Sequence, residues 1–332
     1  MPIRIDPTRL YHGVFPGGAT SSGSEDEVSL ALVREYRAAA GRDAAWIYFS
    51  HNWYRGRQFP LSHCRWIRDD YGAIPFIRLM LRTNGNNPCP DPEYTLANIN
   101  SGRYDADFRA WANVAETFGT NLIVEWGTEM NGKWFAWNAK WNGESRGGAR
   151  FQNAYRRIVD IMRGEGANNI TWVFHVNDND DPETSWNRLE RYYPGNDYVD
   201  WLGMSVYGAQ TPTSGGDCPP FGSRAVELHN RLHALAPTKP IFLLEFGATI
   251  NHPDSGENSD CDAAQWADAA LTSILSSSMP HLRGFSWWNE HWENDDDPNH
   301  NTDMRVQQSR RLSDVFKRHL IGNPRVLDRP LT

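Results

Sequence analysis

Lysine is scarce in this 332-residue chain: Lys133, Lys140, Lys239 and Lys317 are the only four. Arginine supplies the remaining positive charge, and 41 acidic residues outweigh 33 basic ones for a net charge of -8. Without a basic stripe, nucleic acid and anionic membrane surfaces are poor partners. No run approaches the ~20 apolar residues that cross a bilayer. Cysteine is limited to Cys64, Cys89, Cys218 and Cys261, with no C-x-x-C pair, which argues against zinc or dithiol redox chemistry. Their loop-like surroundings allow two disulfides, Cys64–Cys89 and Cys218–Cys261, with free buried thiols as the alternative. Gly17-Gly18 opens no G-x-G-x-x-G loop, so a dinucleotide fold lacks its fingerprint. No His-Glu-x-x-His or clustered ligand triplet is present, and no metal or other cofactor is expected. The first 30 residues show no basic stretch followed by an apolar one, so no signal peptide is read there.

What the chain has in excess is tryptophan, with 15 residues, beside 12 tyrosines. Several must serve the core. The remainder suit binding surfaces, because an indole offers a flat apolar face and a polar tip. Sugars match such faces: their C–H faces stack while their hydroxyls seek hydrogen bonds.

Short apolar runs alternate with helical patterns. Strands are expected at Leu10–Phe15, Ala45–Ser50, Ile74–Leu81, Asn121–Glu125, Ile170–His175, Trp201–Val206, Ile241–Glu245 and Leu282–Trp288. Helices are expected between them, the first capped by Ser24 with Glu27 completing a capping box, the one after strand five being weak. Near-continuous apolar strands suit a parallel sheet covered on both faces. Eight such repeats predict an α/β fold of the (β/α)8 TIM-barrel type, with residues 1–332 as a single catalytic domain and a monomer expected. The long polar stretches all follow strands, which in a barrel places them on the C-terminal face where sites are built.

Two acids stand at strand ends on that face: Glu129, just past strand four, and Glu245, ending strand seven. A glutamate there is costly without partners or a task. Two carboxyl groups facing across a sugar-sized gap are the equipment for glycoside hydrolysis, one donating a proton to the leaving oxygen and the other attacking the anomeric carbon. A retaining enzyme holds them about 5–5.5 Å apart.

The stretch Glu129-Met130-Asn131-Gly132-Lys133-Trp134-Phe135-Ala136-Trp137 resembles the acid/base motif of glycoside hydrolase family 26, the β-mannanase family, and Glu245-Phe246-Gly247 is similar to its nucleophile motif. The resemblance extends through Tyr48–Trp53, Trp201–Gly208 and Gly284–Trp288. It implies a (β/α)8 barrel, retention of anomeric configuration, Glu129 as acid/base and Glu245 as nucleophile. It also implies that Tyr207 hydrogen-bonds the nucleophile, that Trp134 and Trp137 line the cleft, and that Trp288 or Trp287 floors the subsite of the attacked sugar. Asn131 joins the substrate-binding set through the same motif. The implied partner is a β-linked polysaccharide or oligosaccharide, β-1,4-mannan first. Mixed-linkage β-1,3-1,4-glucan or β-1,3-xylan are the alternatives on the same scaffold, and a non-catalytic carbohydrate-binding barrel is the alternative of another class. Such a polymer makes secretion the expectation.

Three positions depart from the mannanase pattern: Thr128 where His is common, Glu125 where Arg is common, and Ala136 within the aromatic run. They bear on the choice of sugar rather than the reaction. Glu125 shares a strand face with Glu129 and is read as a modulator of the acid or an alternative to it. Arg78, inside an apolar run, requires a carboxylate partner and is read as a mouth ion pair or a substrate contact. His175 is read as a substrate contact or a satisfied core histidine, and Asn52 and Trp53 as distal-subsite residues. The run Asp295–Asp303 offers oxygen ligands but lacks the glycine and closing glutamate of a calcium loop, so a solvated acidic loop is favoured.

Overall fold

The apolar runs become eight parallel strands. The computed structural model describes residues 3–17, 25, 27–212, 218–250 and 262–329. Its strands are β1 (Leu10–Phe15), β2 (Trp46–Asn52), β3 (Ile74–Met80), β4 (Leu122–Trp126), β5 (Ile170–Asn177), β6 (Trp201–Tyr207), β7 (Ile241–Gly247) and β8 (Leu282–Trp288). Each pairs with the next, and β1 pairs back with β8 from Tyr11–Gly284 to Phe15–Trp288, closing the barrel. A ninth parallel segment, Val326–Leu327, adds to the start of β1. Burial on both faces explains why these strands read as continuous apolar runs rather than as alternating patterns.

The helices are α1 (Leu30–Ala40), α2 (Leu61–Trp66), α3 (Leu96–Asn100), α4 (Asp105–Phe118), α5 (Gly147–Gly164), α6 (Phe221–Leu235), α7 (Ala263–Ile274) and α8 (Arg310–Leu320). Helix α4 buries Phe108, Trp111, Ala112 and Ala115, the face its spacing predicts. Between β5 and β6 only a short turn of helix, Leu189–Arg191, appears, in line with the weak signal there. Among the described residues no helix is long and apolar enough to cross a membrane.

Three local expectations are corrected. Helix α1 starts at Leu30, where the Ser29 hydroxyl accepts the Leu32 N–H at 3.3 Å; Ser24 lies outside the described residues, and Glu27 sits before the helix in ion-pair reach of Arg55. The last helix, expected over Val306–Leu320, starts at Arg310 behind the Ser309 cap, because the Val306–Gln308 segment forms a separate tight turn. The Cys64–Cys89 bridge is absent: both thiols are free. Cys64 is buried on α2, whereas the Cys89 Sγ meets the Trp134 carbonyl at 3.1 Å in the loop after β3. Cys218 is disulfide-bonded, and Cys261 lies outside the described residues.

The barrel interior is filled in layers. In the lower layer the Trp46 indole occupies the space left by two glycines. A Cβ on Gly13 would lie 2.1 Å from the indole, and one on Gly284 2.7 Å from it. The indole N–H donates to Ser286 Oγ at 2.6 Å, and Trp201 stacks on Phe242 beside it at 3.9 Å. This largely aromatic packing lies beneath the charged layer described below. Gly13→Ala should therefore destabilise the fold by about 1–3 kcal/mol through overpacking. A thermal melt with an unchanged midpoint would show that Trp46 can move aside.

Candidate active site

Strand β7 does not run smoothly. Its register shifts against β6 at Met204/Ser205 and against β8 between Leu243 and Phe246. Such an irregularity re-aims a side chain. Leu244 approaches Gly203 inside the barrel, yet the adjacent Glu245 also points inward, where two tyrosines reach it. Tyr207 donates to Glu245 Oε2 at 2.9 Å, and the Tyr48 hydroxyl lies 3.3 Å from Oε1. Arg78 Nη2 lies 3.8 Å from the same Oε1. Glu245 is 3% exposed. Burial, reinforced by the Glu129 and Glu125 charges, lifts its carboxyl to about 7 against the pull of Arg78 and His175.

Glu129 is placed differently. It lies in the turn after β4 with φ of 47°, a left-handed conformation that costs a non-glycine residue free energy and persists only where its surroundings over-determine it. They do so here. The Glu129 N–H donates to the His175 carbonyl at 2.9 Å, the Trp137 indole N–H to the Thr128 carbonyl at 2.8 Å, and the Asn138 amide to the Met130 carbonyl at 2.8 Å. The Trp134 indole N–H then donates to Glu129 Oε2 at 2.8 Å. Glu129 and Glu245 line one cleft of about 650 Å³, together with Glu25, Arg78, Trp134, Phe135, Asn177, Asp178, Tyr207, Arg224, Trp288, Glu290 and Trp292 among others.

Beneath the cleft lies a buried ionic layer. Glu125 is fully buried on β4; Tyr48 donates to its Oε1, and its Oε2 is 2.9 Å from His175 Nδ1. Arg78 Nε lies 3.8 Å from Glu125 and Nη1 3.1 Å from Glu25. Burial alone would raise Glu125, but His175, Arg78 and Tyr48 outweigh it and hold the carboxyl below its usual range. Burial likewise disfavours charge on His175, and Glu125 outweighs it, so that the imidazole is raised. His175 Nε2 is 2.8 Å from Ser205 Oγ, and Nδ1 is 3.1 Å from Thr128 Oγ1. Glu125, His175 and Glu245 bring ligand atoms within 4.8 Å of one another, a spacing a metal ion could use. Arg78 already faces both carboxylates there as the counter-charge.

The structure sorts the other expected residues. Trp134 lies in the cleft with 38% of its surface exposed. Trp288 also lines the cleft, but Phe15 stacks on it at 3.9 Å and the Arg78 guanidinium lies 5.4 Å from its ring. Trp137 supports the Glu129 turn and stacks on Phe135 at 4.6 Å. Trp287 faces away from the cleft, against Trp266 and Phe316 of α7 and α8. Asn131 is fully buried: its amide donates to Asn177, Asn179 and Asp180, and its oxygen accepts the Asn177 N–H at 2.9 Å, tying the loops after β4 and β5 together. Asn52 accepts from Arg82 at 2.7 Å. Trp53 is buried against Tyr94, Tyr104 and Phe108. Neither Asn52 nor Trp53 lines the cleft. In the acidic loop, Asp295 engages His300 at 2.7 Å, Asp297 caps the Asn299 N–H, and Asp303 holds Arg305.

Sequence reasoning passed over Tyr48, Glu25, Glu290 and the Asp178–Arg224 ion pair. Glu290 carries the signal that picked out Glu129 and Glu245, an acid at or just past the C-terminal end of a barrel strand. Tyr48 was recoverable from the inward face shared by Trp46, Tyr48 and Ser50. Glu25 had no signal, because it belongs to no periodic pattern in the sequence.

Comparison with known proteins matches residues 110–218, the stretch that holds the Glu129 turn, to the model of glycosyl hydrolase family 26. Over that stretch the chain is similar to that family. It is 30% identical over 205 residues to Endoglucanase H of Acetivibrio thermocellus, covering 61% of this chain and 21% of that one. It is 23% identical over 211 residues to a β-1,3-xylanase of an Alcaligenes species, covering 60% and 41%. The chain thus spans well under half the length of these curated relatives. Among solved structures, a family 26 β-mannanase from Bacteroides ovatus superposes with a TM-score of 0.62 at 18% identity, covering 96% of this chain and 90% of that one. That likeness shows the shared barrel.

Removing the Tyr207 hydroxyl takes away a donor that favours ionised Glu245, so Tyr207→Phe should raise the Glu245 pKa further above about 7. The acidic limb of the kcat/KM profile on a cleaved glycan should move to higher pH, with a loss of roughly 10–100-fold near neutrality. An unshifted limb would separate Tyr207 from the ionisation of Glu245.

Proposed function

We propose that this chain is a retaining endo-β-glycanase acting on a β-linked polysaccharide, with β-1,4-mannan as the first substrate. The observation that carries the reading is the convergence of Glu129 and Glu245 on one cleft, each held by its own donors. In its ionised form, which Arg78 and the Tyr207 hydroxyl favour, Glu245 attacks the anomeric carbon. Glu129 protonates the departing oxygen, then takes a proton from the water that releases the glycosyl enzyme. The exposed Trp134 indole beside Glu129 supplies an apolar face for the sugar on the leaving side. No cofactor is needed for these steps.

A second reading, a glucan in place of mannan, is favoured by the endoglucanase relative and by Glu125, Thr128 and Ala136 at the three positions where mannanases differ. A polymer too large to enter cells, together with the disulfide-bonded Cys218, supports action outside the cell in an oxidising compartment.

Galactomannan, glucomannan, mixed-linkage β-glucan and β-1,3-xylan should be incubated with the protein and the products sized. Internal cleavage of at least one is expected, and product NMR should show the β-anomer first; an α-anomer would refute the nucleophile role of Glu245. Glu129→Ala should lower kcat by about 10²–10⁴-fold while sugar binding persists. Unchanged turnover would remove Glu129 from the reaction, and binding without turnover by the unaltered protein would favour a carbohydrate-binding barrel.

A further inference from the structure

The reaction uses Glu129 and Glu245 and leaves a third buried acid of the cleft without a task. Glu290 lies two residues beyond β8, lines the cleft and is only 3% exposed. The Trp288 indole N–H donates to its Oε2 at 2.9 Å. Its Oε1 has no hydrogen-bond partner, and no Lys, Arg or His forms an ion pair with Glu290, among the described residues. A carboxyl this buried, with one oxygen making no bond to protein, keeps that oxygen for water or a ligand in the cleft.

Its position is rigid. The Met304 N–H donates to the Glu290 carbonyl at 2.8 Å, and the preceding Asn289 is held by the Phe15 carbonyl at 2.9 Å and the Val306 N–H at 2.8 Å. The indole that holds Oε2 is itself clamped against Phe15. This is the kind of support that binding groups need, since a loosely held side chain loses its contact to entropy. The charged groups around Glu290 are Glu25 from the loop after β1, Arg78 from β3 and Glu245 from β7. Burial, then the Glu25 charge, keeps its carboxyl protonated well above the usual carboxylate range, against the Trp288 N–H and Arg78. A neutral carboxyl can donate a hydrogen bond as well as accept one.

We propose that Glu290 is a sugar-binding residue, whose free Oε1 hydrogen-bonds a ring hydroxyl of a neutral pyranose unit seated beside Trp288 and Glu245. This rests on the glycanase reading and assigns a hydroxyl-binding contact within the same cleft. A uronate unit would meet Glu25, Glu245 and Glu290, and both cleft guanidinium groups are already engaged: Arg224 by Asp178, and Arg78 by Glu25, Glu125 and Glu245.

Calorimetric binding of β-1,4-mannotriose, cellotriose and β-1,3-xylotriose to the full chain and to two variants tests the assignment. Glu290→Ala should weaken the ligand that binds best by about tenfold. Glu290→Gln should recover most of that loss, since an amide keeps both an acceptor for Trp288 and a donor for the sugar. As pH rises into the range where Glu290 ionises, the unaltered protein should lose more affinity than Glu290→Gln; this comparison also decides the matter if Glu290→Ala fails to fold. Unaltered affinity in Glu290→Ala, or identical pH dependence of the unaltered protein and Glu290→Gln, overturns the assignment. If the unaltered protein cleaves a glycan in that case, the glycanase reading stands. A chain that neither binds nor cleaves any of these sugars overturns both.

Discussion

Arg78 is the charge on which the mouth of this barrel depends. Its side chain is 4% exposed, and its nitrogens lie within 3.1 Å of Glu25, 3.8 Å of Glu125 and 3.8 Å of Glu245. Three carboxyl groups brought together inside a protein repel one another and lose their hydration. A guanidinium is the suitable counter-ion, since it stays charged under all ordinary conditions and presents donors in several directions. Here Nε and Nη1 complete no hydrogen bond, so the contact with the acids is mainly electrostatic. Removing Arg78 would leave buried carboxylates uncompensated, and protonation of Glu245 would become easier still.

The ionic layer also separates the two principal acids physically. Glu245 is embedded in it, reached by two tyrosines and lifted by burial to about 7. Glu129 stands above it in a strained turn and takes its single side-chain hydrogen bond from Trp134, an exposed residue. Glu125, which shares a strand with the Glu129 turn, is committed downward to His175 and Tyr48. Its role is to hold the charge of the layer rather than to face the cleft. The position before Glu129 follows the same logic: Thr128 meets His175, which in turn meets Ser205, so β4, β5 and β6 are linked through one imidazole.

Much of this was legible beforehand. The strand at Leu282–Trp288 ends where its residues predict, and α4 buries the face its spacing predicts, since continuous apolar runs and a 3.6-residue period respond to local physics. Glu129 and Glu245 stood out because acids at the ends of apolar strands are expensive. Less accessible were the roles of the aromatics. Trp287 and Trp288 are neighbours of one type, yet strand alternation sends one to the helices and the other to the cleft. Asn131 sits inside the motif that resembles a binding stretch, yet its amide is consumed by loop-to-loop bonds. The start of α1 is not fixed by residue type, because Ser24 and Ser29 are both possible caps and only the path of the chain decides for Ser29.

The sequence alone determined the barrel, its strand order and the presence of two acids at the ends of strands four and seven, because each follows from residue period and from burial along the chain. Only the tertiary structure decided the ionic layer, the inward turn of Glu245 at a strand irregularity, and the arrival of Glu25 and Glu290 at the same cleft. Those depend on contacts between residues as far apart as Glu25 and Glu290. Their energy lies in the Coulombic and desolvation terms of a shared interior, which no local pattern encodes.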